Sequence, residues 1–176
     1  MTQKKVCPIC KGYDIKEYTT SGDYECFDCQ RCGKFFISGS LLAELYYEEK
    51  TLFLISSWIR EQNERAKTPK LTDYDFKRLK SSLTVPSVSE KQLLLMQALE
   101  RRTNYPGEWI DVRSPEFIAL AWCKTPEELS FHFKSLKERG LIEANFTRQK
   151  NLEIYLNACI TAKGWDFLLL MGLSNR

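Results

Sequence analysis

Cys7-Pro8-Ile9-Cys10, answered by Cys26-Phe27-Asp28-Cys29-Gln30-Arg31-Cys32-Gly33, is the stretch on which the reading of this chain turns. Two Cys-x-x-Cys pairs flank a short strand-rich insert. Zinc accepts four thiolates in a tetrahedron, and a two-residue spacer lets one tight turn offer two of them. Five cysteines compete for four places. Cys7, Cys10, Cys29 and Cys32 are the favoured set, because Gly33 after Cys32 lets the backbone turn with its amides facing the sulfurs. The first knuckle has its glycine one place later, at Gly12. Cys26 then falls on a strand as a small core residue. A site closed by four sulfurs has no open position, so the expected metal, Zn2+, is structural.

Working outward, the 176 residues allow one ordinary domain or two small ones, and 43% apolar residues can fill a core. Charge is nearly balanced, with 26 basic against 23 acidic side chains and a net charge of +3. No third of the chain is a basic block, which argues against nucleic-acid binding through bulk charge alone. The start, Met1 to Lys5, has no apolar signal region, and no apolar run approaches the ~20 residues of a membrane span. Thiols kept for a metal, with Cys123 and Cys159 isolated, suit a reducing compartment, so the expectation is cytoplasmic.

The insert reads as a hairpin. Tyr13, Ile15 and Tyr18 lead to a turn at Ser21-Gly22-Asp23, Tyr24 to Phe27 return, and Phe35 to Ile37 form a third strand. Ser38-Gly39-Ser40 opens a helix with Leu41, Leu42, Leu45 and Tyr46. A second helix, about 51–66, carries Leu52, Ile55, Trp58 and Ile59. Thr68-Pro69-Lys70 breaks the chain, and Thr72-Asp73 caps a third helix. Thr84-Val85-Pro86-Ser87 is the linker candidate.

Beyond it the order becomes helix (Leu93 to Leu99), short strand (Trp109 to Val112), two helices, two strands and a last helix. Ser114-Pro115-Glu116 and Thr125-Pro126-Glu127 open the middle pair, each a cap followed by proline. Leu141–Ala144 and Glu153–Leu156 are the strands, joined by a polar loop 147–151, and Thr161 caps the last helix. This is the order of a winged helix. The expected fold is thus α+β and mostly helical: a zinc ribbon (1–38), a helical extension (39–86) and a winged helix (87–176).

In a winged helix the second helix of the motif, here 126–139, enters a DNA groove. Its charge is close to neutral, with Glu127, Glu128 and Glu138 against Lys134, Lys137 and Arg139. Cations able to reach phosphate are Lys134 and Lys137 on that helix, Arg148 and Lys150 on the wing, and Lys163 at the last cap. Arg60, Gln62 and Asn63 put hydrogen-bonding groups beside Trp58, and they either meet a partner or form a solvated face. His132 is the single histidine, and no Gly-rich phosphate loop or nucleophile–base set accompanies it. The expectation is therefore a non-enzymatic recognition module that binds nucleic acid. The alternative is a protein-interaction or structural subunit.

The cysteine framework, continued through Gly33-Lys34-Phe35-Phe36-Ile37-Ser38-Gly39, resembles a bacterial zinc-ribbon family. In that family the ribbon is followed by a helical Trp-Ile-Arg-Glu-Gln-Asn segment, matched here at 58–63. It ends in a winged helix with a Leu-Thr-x-x-Gly-Trp signature, matched by Ile160-Thr161-Ala162-Lys163-Gly164-Trp165. The resemblance implies an association with prokaryotic antiviral effector modules, beside which or fused to which such proteins occur. With the sequence ending at Arg176, an accessory or sensor is expected rather than an effector-bearing enzyme.

Overall fold

The computed structural model describes residues 6–12, 15–18, 20, 22–45, 51–150 and 152–174. The expected positions Tyr13, Ser21, Tyr46 and Asn151 lie outside them. Among the described residues the fold is mixed α+β, 47% helix and 24% strand, so helix is the larger share without reaching half. The chain divides into two compact units, Met1–Val85 and Pro86–Arg176. The division falls inside the stretch read as a linker.

In the first unit, strands β1 (Ile15–Tyr18), β2 (Tyr24–Cys29) and β3 (Gly33–Ser38) form an antiparallel meander. Alternation sends Phe27, Phe35 and Ile37 inward, with the two phenylalanine rings stacked 5.6 Å apart. Helices α1 (Gly39–Glu44), α2 (Leu52–Glu64) and α3 (Asp73–Ser82) cover that face, and Leu41, Ile55, Ile59 and Phe76 join the same core. Ser38 Oγ accepts from the Leu41 N–H at the start of α1. Thr72 and Asp75 form a reciprocal capping box on α3. Trp58 packs half-buried against this core.

Two expectations change here. Pro69 was read only as a break, but the chain after it forms β4 (Lys70–Leu71), parallel to β3. The Phe36 N–H donates to Pro69 O at 2.9 Å. A proline at the head of an edge strand is tolerated because no donor is required of it there. Residues 1–38 and 39–86, expected as separate segments, also share one core, in which Phe27, Phe35 and Ile37 meet Leu41, Ile55, Ile59 and Phe76.

In the second unit, α4 (Val88–Arg102) starts on a capping box between Ser87 and Glu90. It is followed by β5 (Ile110–Asp111), α5 (Glu116–Leu120), α6 (Pro126–Glu138), β6 (Ile142–Gln149), β7 (Leu152–Ile160) and α7 (Ala162–Ser174). The sheet order is β5-β7-β6, antiparallel throughout, over a core that includes Leu95, Leu99, Phe117, Phe133, Leu136 and Ala158. Thr125 Oγ1 accepts from the Glu128 N–H and Pro126 fills the first turn of α6, as its sequence implies. Both hairpin strands run longer than expected: β6 continues through 145–149, polar apart from Phe146 and mostly exposed, and β7 continues through 157–160 opposite 142–145. At Gly164 a Cβ would lie 2.1 Å from Leu141 O, so only glycine lets α7 approach the start of β6 this closely.

Candidate metal centre

Two knuckles bring four cysteines of the first unit together. The first closes with the Cys7 N–H donating to Gly12 O (2.8 Å) and the Lys11 N–H to Cys7 O (3.0 Å). Lys11 takes the left-handed conformation there (φ +59°), the position that Gly33 (φ +86°) occupies in the second knuckle. The Cys7 and Cys32 sulfurs are 3.8 Å apart, those of Cys10 and Cys29 3.4 Å, and all four lie within 4.8 Å of one another. Zn–S bonds of about 2.3 Å in a tetrahedron put sulfurs about 3.8 Å apart, so the set fits a tetrahedral thiolate ion. All seven cysteines are free thiols.

The electrostatics point the same way. Burial, and then hydrogen bonds with Cys10, Cys29 and Cys7, hold Cys32 well above the ordinary thiol range. Hydrogen bonds from Cys10, Cys32 and Cys7 pull Cys29 below it. Four sulfurs this close, with Cys7, Cys29 and Cys32 buried and Cys10 partly so, cannot all ionise unless a cation offsets their repulsion. Cys26 is excluded by parity: it stands three residues before Cys29 on β2, so its side chain leaves by the other face of the sheet.

Around the sulfurs stands a stripe of α2. Ser56 Oγ lies 3.1 Å from Cys32 Sγ. Arg60 donates from Nε to Arg31 O at 2.9 Å, and from Nη2 to Gln30 O and Cys29 O. Asn63 accepts from the Lys34 N–H at 2.8 Å and donates Nδ2 to Lys34 O at 2.9 Å. Residues 56, 60 and 63 recur at helical spacing, so one face of α2 grips the backbone of the second knuckle. Arg60 and Asn63 therefore have work inside the unit. Gln62 lies off that stripe, half-buried. Ser56 and the gripping role of the stripe were not legible in the sequence; the one signal was the density of hydrogen-bonding residues on α2.

The proposed phosphate-reaching cations all belong to the second unit. Lys137 Nζ lies 4.7 Å and the Arg148 guanidinium 5.8 Å from the Phe146 ring centroid, so a cation of α6 and one of the β6–β7 hairpin share one ring. Arg148 also pairs with Glu153 at 3.4 Å. Lys150 is exposed at the hairpin tip in the left-handed conformation (φ +47°). Lys134, also exposed, approaches Glu138 at 4.0 Å. Lys163 stands apart from these, donating to Arg139 O at 2.8 Å, where it caps the carbonyl end of α6.

His132 is buried, at 2% exposure, with Nδ1 lacking a hydrogen-bond partner. Cys123, Glu128 and His132 offer donor atoms within 4.8 Å of one another. The ammonium of Lys91, itself 4% exposed, donates to Glu128 Oε1. That cation already neutralises the carboxylate an ion would need, so the group is read as an ion-paired seam between α4 and α6.

No protein-family model matches this chain, and no curated protein or solved structure matches it. Among the described residues no helix is long and apolar enough to cross a membrane.

Proposed function

We propose that this protein is a non-enzymatic nucleic-acid-binding module. In this reading a structural Zn2+ held by Cys7, Cys10, Cys29 and Cys32 stabilises a zinc ribbon, and residues 86–176 form a winged helix that docks on duplex DNA. The element order α4-β5-α5-α6-β6-β7-α7 with sheet order β5-β7-β6 supports the winged helix. The observation that carries the DNA reading is the meeting of Lys137 and Arg148 over Phe146, which gathers helix and wing cations at one edge. Lys150 at the tip extends that edge, and Lys134 adds a fourth cation. These groups contact phosphate, which positions without reading sequence. The resemblance to proteins found beside antiviral effectors makes a sensor or adaptor in bacterial defence the biological form of this reading.

Duplex binding measured against salt tests it. Four phosphate contacts give a slope of roughly −4 in log K against log salt. Arg148→Ala with Lys150→Ala is expected to reduce that slope by about 2 and to weaken all duplexes alike. No binding to duplex at low salt removes the reading.

A second reading has its own observation. Phe131 is 54% exposed on α6, beside Glu127 and Lys134. An exposed ring on a near-neutral face suits a protein partner better than phosphate. In that case Phe131→Ala disrupts a complex and the wing pair is silent.

A further inference from the structure

The sheet of the first unit has a second face, which the core does not use. Its registers align Tyr18, Cys26, Phe36 and Lys70 in one row across all four strands. The adjoining row, two residues along, is Lys16, Asp28 and Lys34. Tyr24 stands on the same face two residues before Cys26. Lys34 Nζ lies 5.4 Å from the Tyr18 ring centroid, and Lys70 Nζ lies 5.7 Å from that of Tyr24 and 5.5 Å from that of Phe36. Cys26 is 2% exposed between Tyr18 and Phe36, so the neighbouring side chains close over it, while Tyr18 remains 44% exposed. Glu17 and Glu25 have the opposite parity and take the other face.

Rings carried on three adjacent strands, each with an ammonium group over it, offer two things together. The rings give apolar planes on which flat groups stack, and the lysines give mobile cations that can leave the ring for a phosphate. Three lysines against Asp28 leave the face positive. Duplex DNA hides its base planes, whereas a single strand exposes both bases and phosphates. We propose that this face is a stacking platform for single-stranded DNA, with Tyr18 and Phe36 meeting bases and Lys16, Lys34 and Lys70 meeting phosphates. The surface belongs to the first unit, so the proposal does not depend on the winged-helix reading.

The test uses the zinc-loaded 176-residue chain and a fluorescent oligodeoxythymidine, alone or annealed to its complement. The single strand binds more tightly than the duplex at this face, with a salt slope of roughly −2 for three contacts. Tyr18→Ala weakens single-strand binding about tenfold or more, and Tyr18→Phe, which keeps the ring, binds as the parent does. Lys34→Gln with Lys70→Gln lowers the slope by about 1.4. Retained zinc in each variant shows that the sheet is intact. The wing pair Arg148→Ala with Lys150→Ala leaves single-strand binding unchanged, which separates this result from the duplex experiment. An oligouridine bound equally well supports recognition of bases and phosphates alone. The proposal is overturned if the single strand does not bind at low salt, if only the oligouridine binds, if Tyr18→Ala matches the parent, or if the wing pair alone abolishes binding.

Discussion

At Gly33 one hydrogen atom in place of a side chain decides how the metal centre is built. Its φ of +86° is strained for any L side chain, and a Cβ there would meet Asn63 Oδ1 at 2.7 Å. Gly33→Ala therefore strains the turn and also displaces the amide that holds Lys34. A destabilisation of the first unit of about 1–3 kcal/mol is expected, measured by denaturant unfolding. Asn63→Leu and Arg60→Gln leave all four sulfurs in place but release the knuckle backbone. Each should lower metal affinity by about tenfold in a chelator competition, because supporting groups orient the ligands. The second unit's melting should not move.

At the scale of an element, α6 holds its neighbours through two different faces. Leu129, Phe133 and Leu136 bury apolar area in the core. The stripe Glu128, His132, Ser135 and Arg139 meets α4, where Lys91 bonds Glu128 and Gln92 bonds both Ser135 and Arg139. Burial pushes the pKa of His132 below its ordinary value, with Lys91 adding to the effect and Glu128 opposing it. The folded state thus prefers neutral His132, while the unfolded chain protonates it near its usual value of about 6.5. This contribution to stability is full above about pH 6.5 and is lost as pH falls from there toward the lower folded pKa. The protection of α6 amides, corrected for the intrinsic pH dependence of exchange, should fall over that window. His132→Gln should flatten the dependence without changing zinc content.

For the whole molecule, the two units have separate cores, so removing a metal from the first is expected to spare the second. Chelation should remove exchange protection from β1–β3 and α2 while leaving α4–α7 protected. For comparison, structural zinc in small modules is worth on the order of 10 kcal/mol. One zinc per chain is expected by metal analysis. Serine at Cys7, Cys10, Cys29 or Cys32 should empty the site, and Cys26→Ser should keep it filled. A Cys26→Ser protein without zinc beside a zinc-loaded Cys32→Ser protein would reverse the ligand assignment.

What the sequence determined by itself was everything written in short range. The Cys-x-x-Cys spacing marked four sulfurs that the structure brings within metal-binding distance. Ser38, Thr72 and Thr125 announced helix starts through side-chain oxygens that cap amides three residues on. Period and alternation located most helices and strands. Only the tertiary structure decided which distant groups meet. The grip of Ser56, Arg60 and Asn63 on the second knuckle spans 24 to 31 residues. The pairing of Leu71 with Ile37, the seam of Lys91 with Glu128, and the row from Tyr18 to Lys70 likewise join separate segments. None of these has a local signature, because a polar residue on a helix reads the same whether it faces water or a carbonyl of another strand. The choice is made when the apolar faces pack and fix which backbone groups lie opposite it.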